Sequence, residues 1–89
     1  MQLFKSTIYW NSAKAKFKLS SNNMKPYRGN EYYLSGNIMF QRPDEKPLLA
    51  KRATWNRKMQ LIYIYGVSNP GVEAAIFDYR NNKLHLHKN

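Results

Sequence analysis

The chain contains no cysteine, which excludes disulfide bonds and thiolate metal sites and makes an oxidising compartment unnecessary. Acidic residues are scarce: five Asp and Glu stand against 15 Lys and Arg, which leaves a formal net charge of +10. No apolar run approaches the roughly 20 residues of a membrane span, and the N-terminal stretch lacks the long apolar segment of a signal peptide. We therefore expect a cytoplasmic protein without a membrane span.

Sequence motifs for several kinds of chemistry are also missing. The chain has no G-x-x-x-x-G-K-[ST], G-x-G-x-x-G, G-x-S-x-G or H-E-x-x-H pattern. It also lacks the glycine–aromatic signature of the common RNA-binding sheet and any helix-turn-helix pattern. Nucleotide hydrolysis, dinucleotide binding and serine hydrolysis thus have no support; the sequence predicts no cofactor and favours a protein that is not an enzyme over one that is.

Hydrophobic residues recur with a period of two, which is typical of strands with one buried face. At 89 residues the chain is predicted to form one domain, residues 1–89. Six or seven short strands separated by turn signals indicate an all-β fold, either a small antiparallel barrel or a compact sandwich.

The clearest unit is an N-terminal hairpin, in which Ala13–Leu19 alternates lysines with apolar residues. A two-residue loop at Asn11–Ser12 is expected, because Asn tolerates a positive φ. The predicted pairs are Trp10 with Ala13, Ile8 with Ala15, Ser6 with Phe17 and Phe4 with Leu19. This register leaves one face apolar and gives the other face to Lys5, Thr7, Tyr9, Lys14, Lys16 and Lys18.

The middle of the chain contains a loop followed by three predicted strands. Residues 21–30 mix Asn, Pro and Gly without periodicity, which indicates a loop. Residues 31–41 form a strand in which Gly36 suggests a bulge or a bend. A strand is also predicted over residues 48–58, with a short helix near 47–55 as the alternative because propensity favours one there. Residues 59–67 have apolar side chains on both faces and predict a central strand.

A second hairpin is predicted over residues 72–88, with a two-residue turn at Asn81–Asn82. That register places Asp78 opposite His85 and Arg80 opposite Lys83. Two histidines and an aspartate on one face raise the question of a metal site, but no fourth ligand is visible and none is predicted. The same face could serve a metal-independent ribonuclease, since phosphodiester cleavage needs an acid, a base and a cation. Its candidate residues are His85, His87, Asp78 and Arg80, with Lys83 beside them.

The positive charge is the strongest functional signal, because such a field attracts nucleic acid or acidic proteins. Single-stranded nucleic acid is held by cations that contact phosphates and by rings that stack on bases. We therefore predict a non-enzymatic domain that binds polyanions, with single-stranded nucleic acid or RNA as the first candidate. The predicted binding residues are Lys5, Tyr9, Lys14, Lys16, Lys18, Tyr27 and Arg28.

The composition also suggests a second kind of partner. Its size, its charge and its many Asn, Lys and Tyr residues are similar to those of small accessory proteins of bacteriophages and other mobile elements, although no motif supports the likeness. An accessory protein of this class would bind, and inhibit or redirect, an acidic host protein in the host cytoplasm. The sequence does not predict the oligomeric state.

Overall fold

The computed structural model describes residues 6–88, which form one antiparallel sheet of eight strands. The strands are β1 (Ser6–Asn11), β2 (Lys16–Ser21), β3 (Asn23–Pro26), β4 (Glu31–Gln41), β5 (Leu48–Asn56), β6 (Leu61–Tyr65), β7 (Val72–Asp78) and β8 (Lys83–Lys88). The all-β prediction is confirmed, with one or two strands more than expected. The alternative prediction of a short helix near 47–55 is wrong, because β5 pairs with β4 and β6 along this stretch. Residues 6–88 contain no helix that could cross a membrane.

The strand order along the sheet is β1-β2-β4-β5-β6-β7-β8, and β3 also pairs with β4. Strands β2 and β3 lie against opposite halves of β4, separated by Asn22, whose N–H donates to the carbonyl of Gly36 at 2.8 Å. The prediction of a loop over residues 21–30 is therefore wrong for β3. This segment has only four residues and is ordered by pairing with β4, the next strand along the chain, so its sequence is too short to show a period of its own.

The sheet curls, so that its beginning packs against its end. The rings of Trp10 in β1 and Tyr79 after β7 have centroids 5.0 Å apart, and those of Phe17 and Phe77 are 5.6 Å apart. Within residues 6–88 no ladder joins β1 to β8. The fold is a rolled sheet that approaches the predicted barrel without closing its hydrogen-bonded ring.

One hydrophobic core fills the inside of the roll, and it draws on every strand from β2 to β7 except β3. Its buried members are Ala15, Phe17, Leu19, Leu34, Ile38, Phe40, Leu48, Ala50, Ala53, Ile62, Ile64, Ala75, Phe77 and Tyr79. Alternate residues of each strand point inward, which leaves the outer surface of the sheet to polar side chains and to several tyrosines. The outer surface is therefore where a partner would bind.

A β-bulge interrupts β4 at the position that the sequence predicts. The register shifts between Ser35 and Ile38, and the two residues between them, Gly36 and Asn37, have φ values of 78° and 49°. A positive φ is easy for Gly and costly for most other residues. The bulge bends β4 at the point where its neighbour changes from β2 to β3.

Replacing Gly36 with Ala is expected to destabilise the fold by more than the same change at Gly71. Both have φ +78°, so each substitution should cost about 1–2 kcal/mol of backbone strain. At Gly36 the new Cβ would also lie 3.1 Å from the Cβ of Asn22, whereas Gly71 has no atom within 4 Å. Urea denaturation measures both free energies of unfolding, and equal losses would contradict a close contact at the bulge.

The predicted register of the N-terminal hairpin is wrong by four residues. The structure pairs Trp10 with Phe17 and Ile8 with Leu19, so the loop spans residues 12–15. The cause is Ser12, whose hydroxyl donates to the carbonyl of Ala15 and accepts from its N–H, each at 3.1 Å. A shift of an even number of residues keeps every paired residue on its predicted face.

The predicted register of the C-terminal hairpin is wrong by two residues. The structure pairs Asp78 with Lys83 and Phe77 with Leu84, so four residues, 79–82, make the turn. Asn81 fixes this wider turn, because its side-chain amide donates to the carboxylate of Asp78 at 2.8 Å. The faces of the strands are again preserved.

Candidate functional site

The lysine face consists of Tyr9, Lys14, Lys16 and Lys18 on the outer surface of the N-terminal hairpin. In β2 the apolar residues are buried, while Lys16 is exposed and Lys18 is half-buried. Lys18 pairs with Tyr9 across the ladder, and Lys16 pairs with Asn11. The predicted member Lys5 lies outside the described residues. For the other four residues, the structure brings the predicted side chains to one outer face or to the loop beside it.

Tyr9 is the aromatic side chain of the lysine face and is largely exposed, with 73% of its surface accessible. The ammonium of Lys18 lies 5.7 Å from the centroid of the Tyr9 ring, within the range of a cation–π contact. An aromatic ring that is open to solvent and held beside a cation can offer a stacking surface next to a phosphate-binding group.

Lys14 lies in the hairpin loop, at the end of the roll, where further cations come close. A groove of about 310 Å³ is lined by Lys14, Lys16 and Arg42, and an adjacent groove contains Lys14 together with Arg80. Arg42 is paired with Glu45, with 2.6 Å between Nε and Oε2. Arg80 is therefore a further cation near the loop that the sequence did not associate with the lysine face, whereas the charge of Arg42 is balanced by Glu45, which lines the same groove.

Most of the positively charged side chains between residues 6 and 88 have no acidic partner there. The ion pairs within residues 6–88 are Arg28 with Glu31 and Arg42 with Glu45. Lys14, Lys16 and Lys18 are outside both pairs. Their charges are available to a ligand, which would not have to displace a carboxylate first.

Tyr27 and Arg28 lie in the turn between β3 and β4, on a different part of the surface. The guanidinium of Arg28 is 5.2 Å from the centroid of the Tyr27 ring, and its Nε is 3.3 Å from Oε2 of Glu31. Both residues line a groove of about 420 Å³ with Tyr33, Thr54, Tyr63 and Tyr65. The structure therefore groups them with other tyrosines and not with the lysines of the hairpin.

The tyrosine face, defined as Tyr33, Tyr63 and Tyr65 on the outer surface of β4 and β6, was missed by the sequence analysis. Thr54 of β5 pairs with Tyr33 on one side and with Tyr63 on the other. The alternation in β6 does show that Tyr63 and Tyr65 share a face. It does not show that this face is the outer one, because the opposite face carries isoleucines.

The constellation proposed for a ribonuclease is not assembled as predicted. His85 pairs with Ile76 and His87 with Ala74, so Asp78 is not opposite either histidine. The hydrogen bond from Asn81 is the main reason why the pKa of Asp78 lies below its ordinary value, and an anionic carboxylate of this kind is a poor proton donor. The guanidinium of Arg80 donates to the backbone carbonyl of Lys58 at 3.0 Å, toward the β5–β6 turn.

Within residues 6–88 no three His, Asp or Glu side chains come together as a metal site would require. A scan against protein-family models, a search of curated proteins and a search of solved structures found no match to this chain. The function is therefore inferred from the geometry and charge of the outer surface alone.

Proposed function

We propose that this protein binds single-stranded nucleic acid without catalysis, through the lysine face. The observation that carries the proposal is the placement of Lys14, Lys16 and Lys18 without acidic partners beside the exposed ring of Tyr9. Ammonium groups bind phosphates at any sequence, and an exposed ring stacks on any base. Binding of this kind depends little on the base sequence of the nucleic acid.

The net charge of +10 also supports the proposal, because it attracts polyanions before any contact forms. A positive field of this size attracts polyanions over about one Debye length, roughly 8 Å at physiological salt, and increases the rate of encounter. Arg80 extends the same field around the hairpin loop, while Glu45 balances the charge of Arg42. A nucleic-acid strand that approaches the loop end of the roll would meet unpaired cations from two separate segments of the chain.

The dependence of affinity on salt tests this proposal. If Lys14, Lys16 and Lys18 each contact one phosphate, log K should fall against log salt with a slope of about −2, at roughly 0.7 per contact. A contact from Lys5 would steepen the slope to about −3. Fluorescence anisotropy of a labelled oligonucleotide across a salt series measures it. A slope close to zero, or no binding at low salt, would contradict the proposal.

An acidic protein is the second candidate partner, since the net charge of +10 would attract it as well. Affinity purification from a cell lysate, with and without nuclease, separates the two partners. Recovery of nucleic acid that nuclease removes supports the first proposal. A complex that resists nuclease and contains an acidic protein supports the second.

A further inference from the structure

We propose that the tyrosine face binds the unpaired bases of the same nucleic acid whose phosphates bind the lysine face. This inference depends on the proposed function and adds the chemical group that the second surface recognises. The ligand class is a single strand with accessible bases. A duplex would not suit it, because its bases are already stacked on one another.

The rings of the tyrosine face lie outside the aromatic cluster of the core. Inside the roll, Phe17, Phe40 and Phe77 contact one another with centroids 5.1–5.9 Å apart. None of the aromatic ring pairs within residues 6–88 includes a ring of the tyrosine face. Tyr65 is 39% exposed, and the other two rings are half-buried. Aromatic side chains that remain outside a complete core are available for a ligand.

The tyrosines of this face are spaced at distances that suit the bases of a nucleic-acid strand. Tyr63 and Tyr65 are two positions apart on one strand, which separates their backbone positions by about 6.8 Å at 3.4 Å per residue. Stacked bases in a strand rise by about 3.4 Å each, so this spacing is close to two base steps. Tyr33 lies two strands away from Tyr63, at about 9.6 Å. The rings are therefore far enough apart to receive bases and too far apart to stack on each other.

Positively charged side chains lie around the tyrosine face. The ammonium of Lys25 lies 5.8 Å from the centroid of the Tyr33 ring, and Arg52 pairs with Tyr65 across the ladder. The groove itself contains Arg28 and one acidic residue, Glu31. The carboxylate of Glu31 is already occupied, by Nε of Arg28 at 3.3 Å and by the side-chain amide of Asn56 at 3.4 Å. The tyrosine face thus has cations at its edges and rings in its middle. This arrangement matches a nucleic-acid strand whose phosphates flank its bases.

The experiment compares two oligonucleotides of about 12 residues, one of thymidine and one with the same backbone but no bases. Both carry the same phosphates, so the lysines should bind them equally, and a preference for the thymidine strand must come from an aromatic ring, either Tyr9 or a ring of the tyrosine face. If bases stack on the tyrosine face, the wild-type protein should bind the thymidine strand more tightly by about 5- to 150-fold for each stacked base. Fluorescence anisotropy gives both dissociation constants.

The variants assign that preference to particular rings. Tyr63→Leu with Tyr65→Leu keeps apolar volume and should remove the part of the preference that the tyrosine face supplies, while Tyr63→Phe with Tyr65→Phe keeps the rings and should retain it. Tyr65→Leu alone changes the most exposed ring of the three and guards against unfolding of the double variant. Tyr9→Leu removes the ring of the lysine face and measures the separate share of the preference that this ring supplies. Circular dichroism verifies that each variant is folded.

Two results would overturn the inference while leaving phosphate binding by the lysines intact. One is equal affinity of the wild-type protein for the two oligonucleotides, with both affinities lost in high salt. The other is a preference for bases that Tyr9→Leu removes and the Leu variants of the tyrosine face do not. A wild-type protein that binds neither oligonucleotide at low salt would instead overturn the proposed function itself.

Discussion

Reversing the charge of Lys14, Lys16 and Lys18 with glutamate is expected to weaken binding of a single-stranded oligonucleotide at least about 100-fold in roughly 0.1 M salt. Each lost phosphate contact removes about 0.7 from log K at that salt concentration, so three contacts remove about two decades. Repulsion between the new carboxylates and the phosphates adds to the loss. Anisotropy titrations over a salt series should show a slope that is flatter by about 2 than that of the wild-type protein.

A matched control separates the lysine face from the general charge of the protein. Lys46, Lys58 and Lys88 are exposed, lie outside β1 and β2, and line neither groove beside the hairpin loop. Their replacement by glutamate changes the net charge by the same amount and should weaken binding far less. Equal losses of affinity in the two triple variants would mean that the positive field of the whole protein, and not the lysine face, binds the oligonucleotide.

Replacing Phe77 with Ala is expected to have the largest effect on stability, a loss of about 3–5 kcal/mol. Phe77 is fully buried, and its ring centroid lies 5.6 Å from that of Phe17 and 5.1 Å from that of Phe40. These rings come from β2, β4 and β7, so the cavity would open where the two ends of the roll meet. Chemical denaturation monitored by circular dichroism measures the loss.

The neighbouring residue supplies the control for this substitution. Ile76 lies on the outer surface of the same strand and is 40% exposed. Replacing Ile76 with Ala should cost about 1 kcal/mol or less, because no cavity forms in the core. Phe77→Leu should fall between the two, since it retains part of the buried volume. Similar losses for Ile76→Ala and Phe77→Ala would show that the core is not centred on this ring.

The faces of the strands could be predicted from the sequence, whereas their registers could not. A period of two assigns each residue to a side regardless of its partner across the ladder. The register depends on loop length, and single polar side chains set both loops: the hydroxyl of Ser12 and the amide of Asn81 each stabilise a four-residue connection. Because both errors are even numbers of residues, the faces were right although the pairs were wrong.

The lysine face could be predicted from the sequence, whereas the tyrosine face could not. The lysine face arises within one hairpin, so local alternation predicts it. The tyrosine face combines residues that are about 30 positions apart, Tyr33 and Tyr63, through the intervening Thr54. Nothing local in either strand shows that β5 separates them. Surfaces built across several strands become visible only when the strand order is known.

Tyr79 touches both tryptophans of the protein. Its hydroxyl accepts a hydrogen bond from the indole of Trp55 at 3.0 Å, and its ring lies edge-on to that of Trp10 at 5.0 Å. Burial raises the pKa of the Tyr79 phenol above its ordinary value, so the neutral form that Trp55 contacts persists in the folded state. Intrinsic indole emission therefore reports on a single corner where β1, β5 and the end of β7 come together. A fluorescence melt records the opening of that corner, independently of events on the tyrosine face.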